Sequence, residues 1–243
     1  LKEKNLVEIF TAKKERETFV AEGTLTQPFG TSLTFTPGQK AVFEKLNIAI
    51  ETGQFESFLL HGVTGSGKTE IYIRCIQRIL EIGKTAIMMV PEISLTPQTV
   101  ERFRQRFGDR VAILHSGLSQ TERYLEWKKI RDEKVSIAVG ARSAVFAPFK
   151  NLGIIVIDEE HDGSYKQDSN PRYHARDTAV MRARSLNAIV VMGSATPSLE
   201  STQNTRLGKY QYLSLDSRVG ERMLPLVNLV DMKRERKEFK NFS

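Results

Sequence analysis

Six short apolar runs that alternate with stretches of helical periodicity limit the folds open to this chain. The runs lie at 58–60, 85–90, 111–114, 135–139, 154–157 and 189–192. Each is continuously apolar, which is the pattern of a strand covered on both faces. Helical stretches precede or separate them at 37–51, 67–80, 96–107, 119–133 and 176–185. This alternation predicts an α/β fold in which a parallel sheet carries helices on both faces.

A glycine-rich loop joins the first apolar run to the helical stretch that follows it. Its sequence fits the phosphate-binding pattern G-x-x-x-x-G-K-[ST]. In such a loop, backbone N–H groups point at phosphate oxygens and the helix N-terminus adds positive potential. Lys68 is placed to reach the β- and γ-phosphates, and the Thr69 hydroxyl is placed to hold Mg²⁺. The residues predicted to bind a nucleoside triphosphate are Gly62, Val63, Thr64, Gly65, Ser66, Gly67, Lys68 and Thr69.

Acidic residues follow the fifth apolar run, and hydroxyl residues follow the sixth. Asp158-Glu159-Glu160-His161 comes directly after the fifth run, at an edge that a parallel sheet places beside the phosphate loop. We predict that Asp158 holds Mg²⁺ and that Glu159 orients or deprotonates the attacking water. Ser194 and Thr196 are placed to hydrogen-bond this acidic pair and to sense the γ-phosphate. A turn that caps the next helix is the competing interpretation.

The composition is that of a globular protein with an anionic partner. The chain has 243 residues, of which 40% are hydrophobic and 27% charged, and its formal net charge is +7. A basic surplus favours a polyanion, because neutralising phosphates releases counterions. The single cysteine, Cys75, excludes a disulfide framework and suits a reducing cytoplasm. No stretch is long and apolar enough to predict a membrane span, and no secretory signal is visible.

Taken in order, the three motifs resemble motifs I, II and III of superfamily 2 helicases that carry a D-E-x-H box. Segments 89–98 and 139–149 are similar to motifs Ia and Ib of that superfamily. These segments, together with 158–167 and 171–177, resemble the primosomal replication-restart helicases. This resemblance, which extends over 35–232, implies a RecA-like P-loop lobe that uses ATP and Mg²⁺. It further implies 3′-to-5′ translocation on single-stranded DNA, binding of stalled or branched forks, and loading of the replicative helicase.

The resemblance also divides the chain. It implies that residues 1–25 are the end of a small winged-helix DNA-binding domain and that 26–34, rich in Gly, Pro and Thr, are a linker. Residues 35–207 then form the first helicase lobe, and 208–243 lead toward a zinc-binding region and a second lobe. Zinc is expected in the full-length family member and not in this chain. Without the second lobe there is no arginine finger, so we expect the chain alone to bind ATP weakly, hydrolyse it poorly and unwind no DNA.

The partners implied by the resemblance are single-stranded and forked DNA, the single-stranded-DNA-binding protein, and primosome or helicase-loader proteins. The resemblance also implies a bacterial protein of the cytoplasm, associated with the nucleoid, and we expect no membrane partner. Two alternatives remain open from the sequence. One is a translocase on double-stranded DNA, and the other is a scaffold in which nucleotide switches partner binding.

Four residues that follow predicted strands should emerge at the same edge as the nucleotide site, where hydroxyls and an arginine suit phosphate oxygens. They are Ser94, Thr96, Arg142 and Ser143. Each one alone is equally typical of a helix cap or a surface charge. Gln39 resembles the family's upstream glutamine that recognises adenine, since an amide can pair with both a donor and an acceptor. An exposed helix glutamine is the alternative.

The segment 162–176 interleaves aromatic and cationic side chains. They are Tyr165, Tyr173 and His174, with Lys166, Arg172 and Arg176. Aromatic rings can stack on bases of any identity while cations follow the DNA backbone. The resemblance implies that this loop couples DNA binding to ATP hydrolysis. The alternative is that Tyr165 and Tyr173 only pack the loop onto the sheet.

Overall fold

A parallel sheet lies at the centre of the computed structural model, which describes residues 34–219. The strands are β1 Glu56–Gly62, β2 Thr85–Met89, β3 Val111–Leu114, β4 Ile137–Gly140, β5 Leu152–Ile157, β6 Lys166–Gln167, β7 Tyr173–His174, β8 Ile189–Ser194 and β9 Gln211–Leu215. Within the described residues, seven of them form one sheet in the order β3-β4-β2-β5-β8-β1-β9. The strands β6 and β7 pair separately as a short antiparallel hairpin.

Helices cover both faces of the sheet, as the alternating sequence requires. Their bounds are α1 Pro37–Thr52, α2 Lys68–Glu81, α3 Pro97–Phe107, α4 Gln120–Arg131, α5 Ala175–Ser185 and α6 Leu199–Arg206. Local sequence signals determine where several of these helices begin. Thr36 and Gln39 form a capping box at α1, and Ser119 and Glu122 form another at α4. These pairs satisfy backbone N–H groups that the first turn leaves without partners.

The core explains why the strands are continuously apolar. In β5, Ile154 and Val156 enter the cluster on one face of the sheet, whereas Ile155 and Ile157 enter the cluster on the other. Successive strand residues point to opposite faces, so a strand buried on both sides needs apolar residues at every position. All six residues of β5 are buried.

The structure confirms the predicted α/β fold, with the six predicted strands and five predicted helices. Sequence patterns missed β9, α6 and the hairpin of β6 and β7. The strand β9 lies at the edge of the sheet, and its first two residues are exposed. In α6 only Ser201 is buried, so this helix carries no apolar periodicity. The predicted winged-helix remnant at 1–25, most of the linker and residues 220–243 lie outside the described residues.

Candidate nucleotide and DNA site

The phosphate loop is a tight turn between β1 and α2. Gly65 and Gly67 have φ angles of +81° and +86°, in the left-handed region that favours glycine. The Ser66 amide donates to the Val63 carbonyl at 3.0 Å. A Cβ at Gly67 would also overlap the side-chain amide of Gln39. Conformation and space therefore both require glycine at position 67.

The side chain of Lys68 reaches back across the phosphate loop to its first residue, Gly62. Its ammonium donates to the Gly62 carbonyl at 2.6 Å, and the residue is only 7% exposed. Thr69 lies beside it in the first turn of α2 and is half-buried. At the opposite side of the loop, the Val219 amide donates to the Gly65 carbonyl at 3.0 Å. The C-terminal end of the described residues thus contacts the phosphate loop, which sequence patterns did not show.

The side-chain amide of Gln39 makes hydrogen bonds within the protein. Its Nε2 donates to the Ser66 carbonyl at 2.9 Å, and its Oε1 accepts from the Thr36 amide at 2.9 Å. The residue is 3% exposed, so the alternative of an exposed glutamine is wrong. Each end of the amide bonds a backbone group, so Gln39 ties the start of α1 to the phosphate loop. The predicted pairing with adenine stays a prediction.

Asp158 follows β5 and lies between two tyrosines. The Tyr72 hydroxyl donates to Asp158 Oδ1 at 3.2 Å, and the Tyr165 hydroxyl donates to the Asp158 backbone carbonyl at 2.7 Å. Burial raises the pKa of the Asp158 carboxyl, Glu159 raises it further, and Lys68 partly offsets both. Burial and Asp158 together raise the pKa of Tyr72, so its hydroxyl keeps the proton that it donates.

Glu159 combines an unusual backbone conformation with a partly exposed side chain. Its φ of +46° lies in the left-handed region, which non-glycine residues adopt only where their surroundings require it. Its side chain is 35% exposed, and its Oε2 lies 3.6 Å from His161 Nδ1. The Glu159 carboxylate is therefore reachable by solvent, as a residue that activates water needs to be.

Ser194 and Thr196 contact the histidine of the acidic box and not its carboxylates. Ser194 Oγ lies 2.7 Å from His161 Nδ1, and Thr196 Oγ1 lies 3.3 Å from His161 Nε2. Ser194 Oγ also accepts from the Thr196 amide at 2.9 Å. Among the described residues, neither hydroxyl bonds the side chain of Asp158 or Glu159, so that part of the prediction is not met. His161 contacts both hydroxyls and lies 3.6 Å from Glu159, so it can link them to the acidic box.

Glu160 belongs to a buried network that sequence reasoning missed. Arg176 Nη1 donates to Glu160 Oε2 at 3.1 Å, and Ser198 and Ser201 donate to the same oxygen at 3.0 and 2.7 Å. The side chains of Arg176 and Glu160 are 7% and 0% exposed. Arg176 was predicted to follow the DNA backbone, but burial in this ion pair withdraws it from the surface. The sequence signal that could have indicated this network is Ser198, the N-cap residue of α6.

The four edge residues take different local positions. Thr96 caps α3 by accepting from the Thr99 amide at 3.3 Å, and Thr99 Oγ1 donates to the Ser94 carbonyl at 2.9 Å. Arg142 Nη1 donates to the Lys166 carbonyl at 2.7 Å and to the Ser164 carbonyl at 3.4 Å. Ser143 is exposed. Arg142 thereby ties the segment after β4 to the loop after β5.

The loop at 162–176 turns one tyrosine inward and leaves another partly open. Tyr165 is 0% exposed, so no base can stack on its ring and the prediction of stacking there is not met. Tyr173 is half-buried and packs edge-on against Phe146, with ring centroids 5.0 Å apart. Lys166 and Arg172 are exposed. Phe146, which is 52% exposed, was not predicted as a site residue.

A phosphate loop after β1 and an acidic box after β5 of a parallel sheet define a RecA-like nucleoside-triphosphatase lobe. Residues 36–205 match the DEAD/DEAH box helicase family, and the chain belongs to that family. This confirms the resemblance seen in the motifs. Within the described residues, no helix is both long and apolar enough to cross a membrane.

Curated relatives share the sequence closely over one part of their length. Replication restart protein PriA of Bacillus subtilis (strain 168) is 55% identical over 84% of this chain and 25% of that protein. The PriA of Haemophilus influenzae is 49% identical over 84% of this chain and 27% of that protein. The chain thus spans about a quarter of the length of these relatives.

Solved structures agree on the fold. RecG bound to a three-way DNA junction superposes with a TM-score of 0.63 at 23% identity, over 87% of this chain and 28% of that one. The Hef helicase domain of Pyrococcus furiosus has a TM-score of 0.52 at 20% identity, over 73% of this chain and 37% of that one. At these identities the likeness shows a shared helicase-lobe fold.

Proposed function

We propose that this chain is the first ATPase lobe of a DNA-stimulated helicase that acts in replication restart. The observation that supports this best is the meeting of three motifs at one edge of the sheet. The phosphate loop follows β1, Ser194 ends β8 with Thr196 just after it, and the acidic box follows β5, on three adjacent strands. Such an edge, at the carboxyl ends of parallel strands, is where α/β proteins bind nucleotides.

The residues at this edge fit ATP with Mg²⁺. Lys68 offers a buried ammonium held by one carbonyl, and the Ser66 hydroxyl is buried with no hydrogen-bond partner among the described residues. Lys68 would hold the β- and γ-phosphates, and Thr69 and Asp158 would hold the metal. When bound, Mg²⁺ neutralises charge that develops on the phosphoryl oxygens. Glu159 orients the attacking water and accepts its proton.

A connected path leads from the DNA-facing segments to the metal-binding aspartate. Arg142 donates to backbone carbonyls on either side of Tyr165, and the Tyr165 hydroxyl donates to the Asp158 carbonyl. We propose that DNA on this edge shifts the loop and, through Tyr165, the backbone of the acidic box. Tyr165 then serves coupling and not base stacking. The residues proposed to contact DNA are Ser94, Thr96, Arg142, Ser143, Lys166, Arg172 and Tyr173.

The restart role follows from the relatives named PriA and belongs to a longer protein. There we propose 3′-to-5′ translocation, recognition of stalled or branched forks and loading of the replicative helicase, in the bacterial cytoplasm at the nucleoid. Single-stranded-DNA-binding protein and helicase-loader proteins are the proposed partners. The net charge of +7 supports a polyanionic substrate. Zinc binding is proposed for the longer protein outside this chain.

The test measures ATP hydrolysis and strand separation by the longer protein that contains this lobe, without DNA, with single-stranded DNA and with a forked duplex. We expect DNA to stimulate hydrolysis and the fork to be unwound. The 243-residue chain, tested beside it, should bind ATP weakly, hydrolyse it poorly and separate no strands. ATPase activity of the longer protein that is indifferent to DNA would refute the proposal, and robust unwinding by the chain alone would refute the need for a second lobe.

A further inference from the structure

Tyr72 is a buried tyrosine of α2 that belongs to none of the helicase motifs. It lies four residues after Lys68 on the same helix and is 0% exposed. Its hydroxyl donates to Asp158 Oδ1 at 3.2 Å. A buried tyrosine needs a partner for its hydroxyl, because an unpaired polar group in the core is costly. The partner here is the carboxylate to which the proposed function assigns Mg²⁺.

Gly193 in β8 provides the space for this hydroxyl. A Cβ at position 193 would overlap the Tyr72 hydroxyl oxygen and crowd the ring carbon that carries it. No left-handed φ angle accounts for glycine at this position, so its requirement is one of space. The Gly193 carbonyl also accepts from the Glu160 amide at 2.9 Å. Three elements, α2, β8 and the end of β5, therefore meet at one hydroxyl group.

The contact restricts the carboxylate of Asp158. An aspartate side chain turns easily about its last bond unless one of its oxygens is held. Tyr72 holds Oδ1 from the side of α2, and the Glu159 backbone amide adds a second contact to the same carboxylate. Hydrogen bonds of this kind orient metal ligands, and their loss typically lowers metal affinity tenfold to a hundredfold. Because Tyr72 and Lys68 share one helix, the same element positions the phosphate-binding ammonium and the carboxylate.

We propose that Tyr72 is a positioning residue for the Mg²⁺-binding carboxylate of Asp158. It acts by holding Oδ1 so that the other oxygen is presented to the metal. This inference rests on the proposed function, since it assumes a nucleotide with Mg²⁺ at this edge. Tyr72 itself contacts neither nucleotide nor metal.

The experiment uses Tyr72→Phe, which removes the hydroxyl and keeps the ring. Binding of a fluorescent, non-hydrolysable ATP analogue is titrated with Mg²⁺, and separately measured in EDTA, in both this chain and the longer protein. We expect the variant to need about tenfold more Mg²⁺ for half-maximal binding, with its affinity in EDTA unchanged. In an Asp158→Asn background the same change should have no further effect, because the two residues act through one contact.

Tyr210→Phe is the matched control, because Tyr210 is another buried tyrosine that lies outside the acidic box. It should leave the Mg²⁺ requirement unchanged, and thermal melting should show both variants folded. An unchanged Mg²⁺ requirement in Tyr72→Phe overturns the proposal, as does an equal loss of affinity with and without Mg²⁺, which would indicate damaged packing. Absence of any Mg²⁺ response in the unaltered proteins instead overturns the proposed function on which the inference rests.

Discussion

The phosphate loop and the loop at 162–176 lie at the same edge but are shaped by different contacts. The phosphate loop takes its turn from the positive φ angles of Gly65 and Gly67 and the bond from Lys68 to Gly62, and Gln39 and Val219 add bonds from outside it. The second loop is held by distant residues, including Arg142 from the segment after β4. A sequence motif therefore predicts local geometry well where its own residues make the contacts that hold that geometry. Composition alone did not show which side chains of 162–176 face solvent.

The largest effect that sharpens this comparison is expected at Glu159, which the motif assigns to water activation and whose side chain is 35% exposed. Glu159→Gln keeps the size of the side chain but removes the base. In the longer protein, DNA-stimulated ATP hydrolysis should fall at least about 100-fold while nucleotide binding remains. Steady-state ATPase and equilibrium binding are the measurements. Hydrolysis within a few-fold of the unaltered enzyme would remove Glu159 from its assigned role.

The next largest effect is expected at Arg176. The composition of the loop assigned this residue to the DNA backbone, whereas the structure buries it in an ion pair with Glu160. Arg176→Met leaves the Glu160 carboxylate buried without its cation. Breaking a buried pair from one side should lower the free energy of unfolding by about 3 to 5 kcal/mol. Urea denaturation of this chain measures it.

Arg172→Met is the control for that measurement, since Arg172 lies in the same loop and is exposed. It should change the unfolding free energy by less than about 0.5 kcal/mol. If the two substitutions destabilise the chain equally, the contrast between inward and outward cations in this loop is lost.

A smaller effect is expected at Tyr173, the tyrosine of the loop that stays partly open beside Phe146. Tyr173→Ala should weaken binding to single-stranded DNA about tenfold, within the range for loss of one stacked base. Fluorescence anisotropy with a labelled oligonucleotide measures the affinity. An abasic strand should show little effect, because it has no base to stack.

Tyr124→Ala provides the comparison for Tyr173, because Tyr124 is an exposed tyrosine on α4 outside the predicted DNA segments. It should leave the affinity unchanged. Equal losses for both tyrosines would show that general surface aromaticity, and not the position of Tyr173, governs binding.

The smallest effect is expected at Gln39, whose side-chain amide bonds a backbone group at each end. Gln39→Ala removes bonds to Thr36 and Ser66 and should lower the unfolding free energy by about 1 to 2 kcal/mol. The ratio of ATP to GTP affinity should stay the same. Gln98→Ala, at an exposed position of α3, is the control for stability. A selective loss of ATP affinity would instead support adenine recognition by Gln39.

Much of the fold was predictable because the buried strands have continuously apolar centres and several helices carry their own start signals. Thr36 before α1 and Ser119 before α4 are local signals of this kind. The edge strand β9 and the polar helix α6 escaped because their partners, and not their own patterns, hold them. For the same reason the sequence motifs singled out Lys68, Asp158 and Glu159 but not Tyr72.

The sequence by itself determined the phosphate loop, the acidic box and the order of elements that brings them to one edge, since these depend on periodicity and on residues adjacent in the chain. Only the tertiary structure decided the direction of side chains whose partners lie far along the sequence. It turned Tyr165 and Arg176 inward, occupied both ends of the Gln39 amide and set Tyr72 on Asp158. The physical reason is that a polar group removed from water must find a partner, and packing determines which partner is within reach.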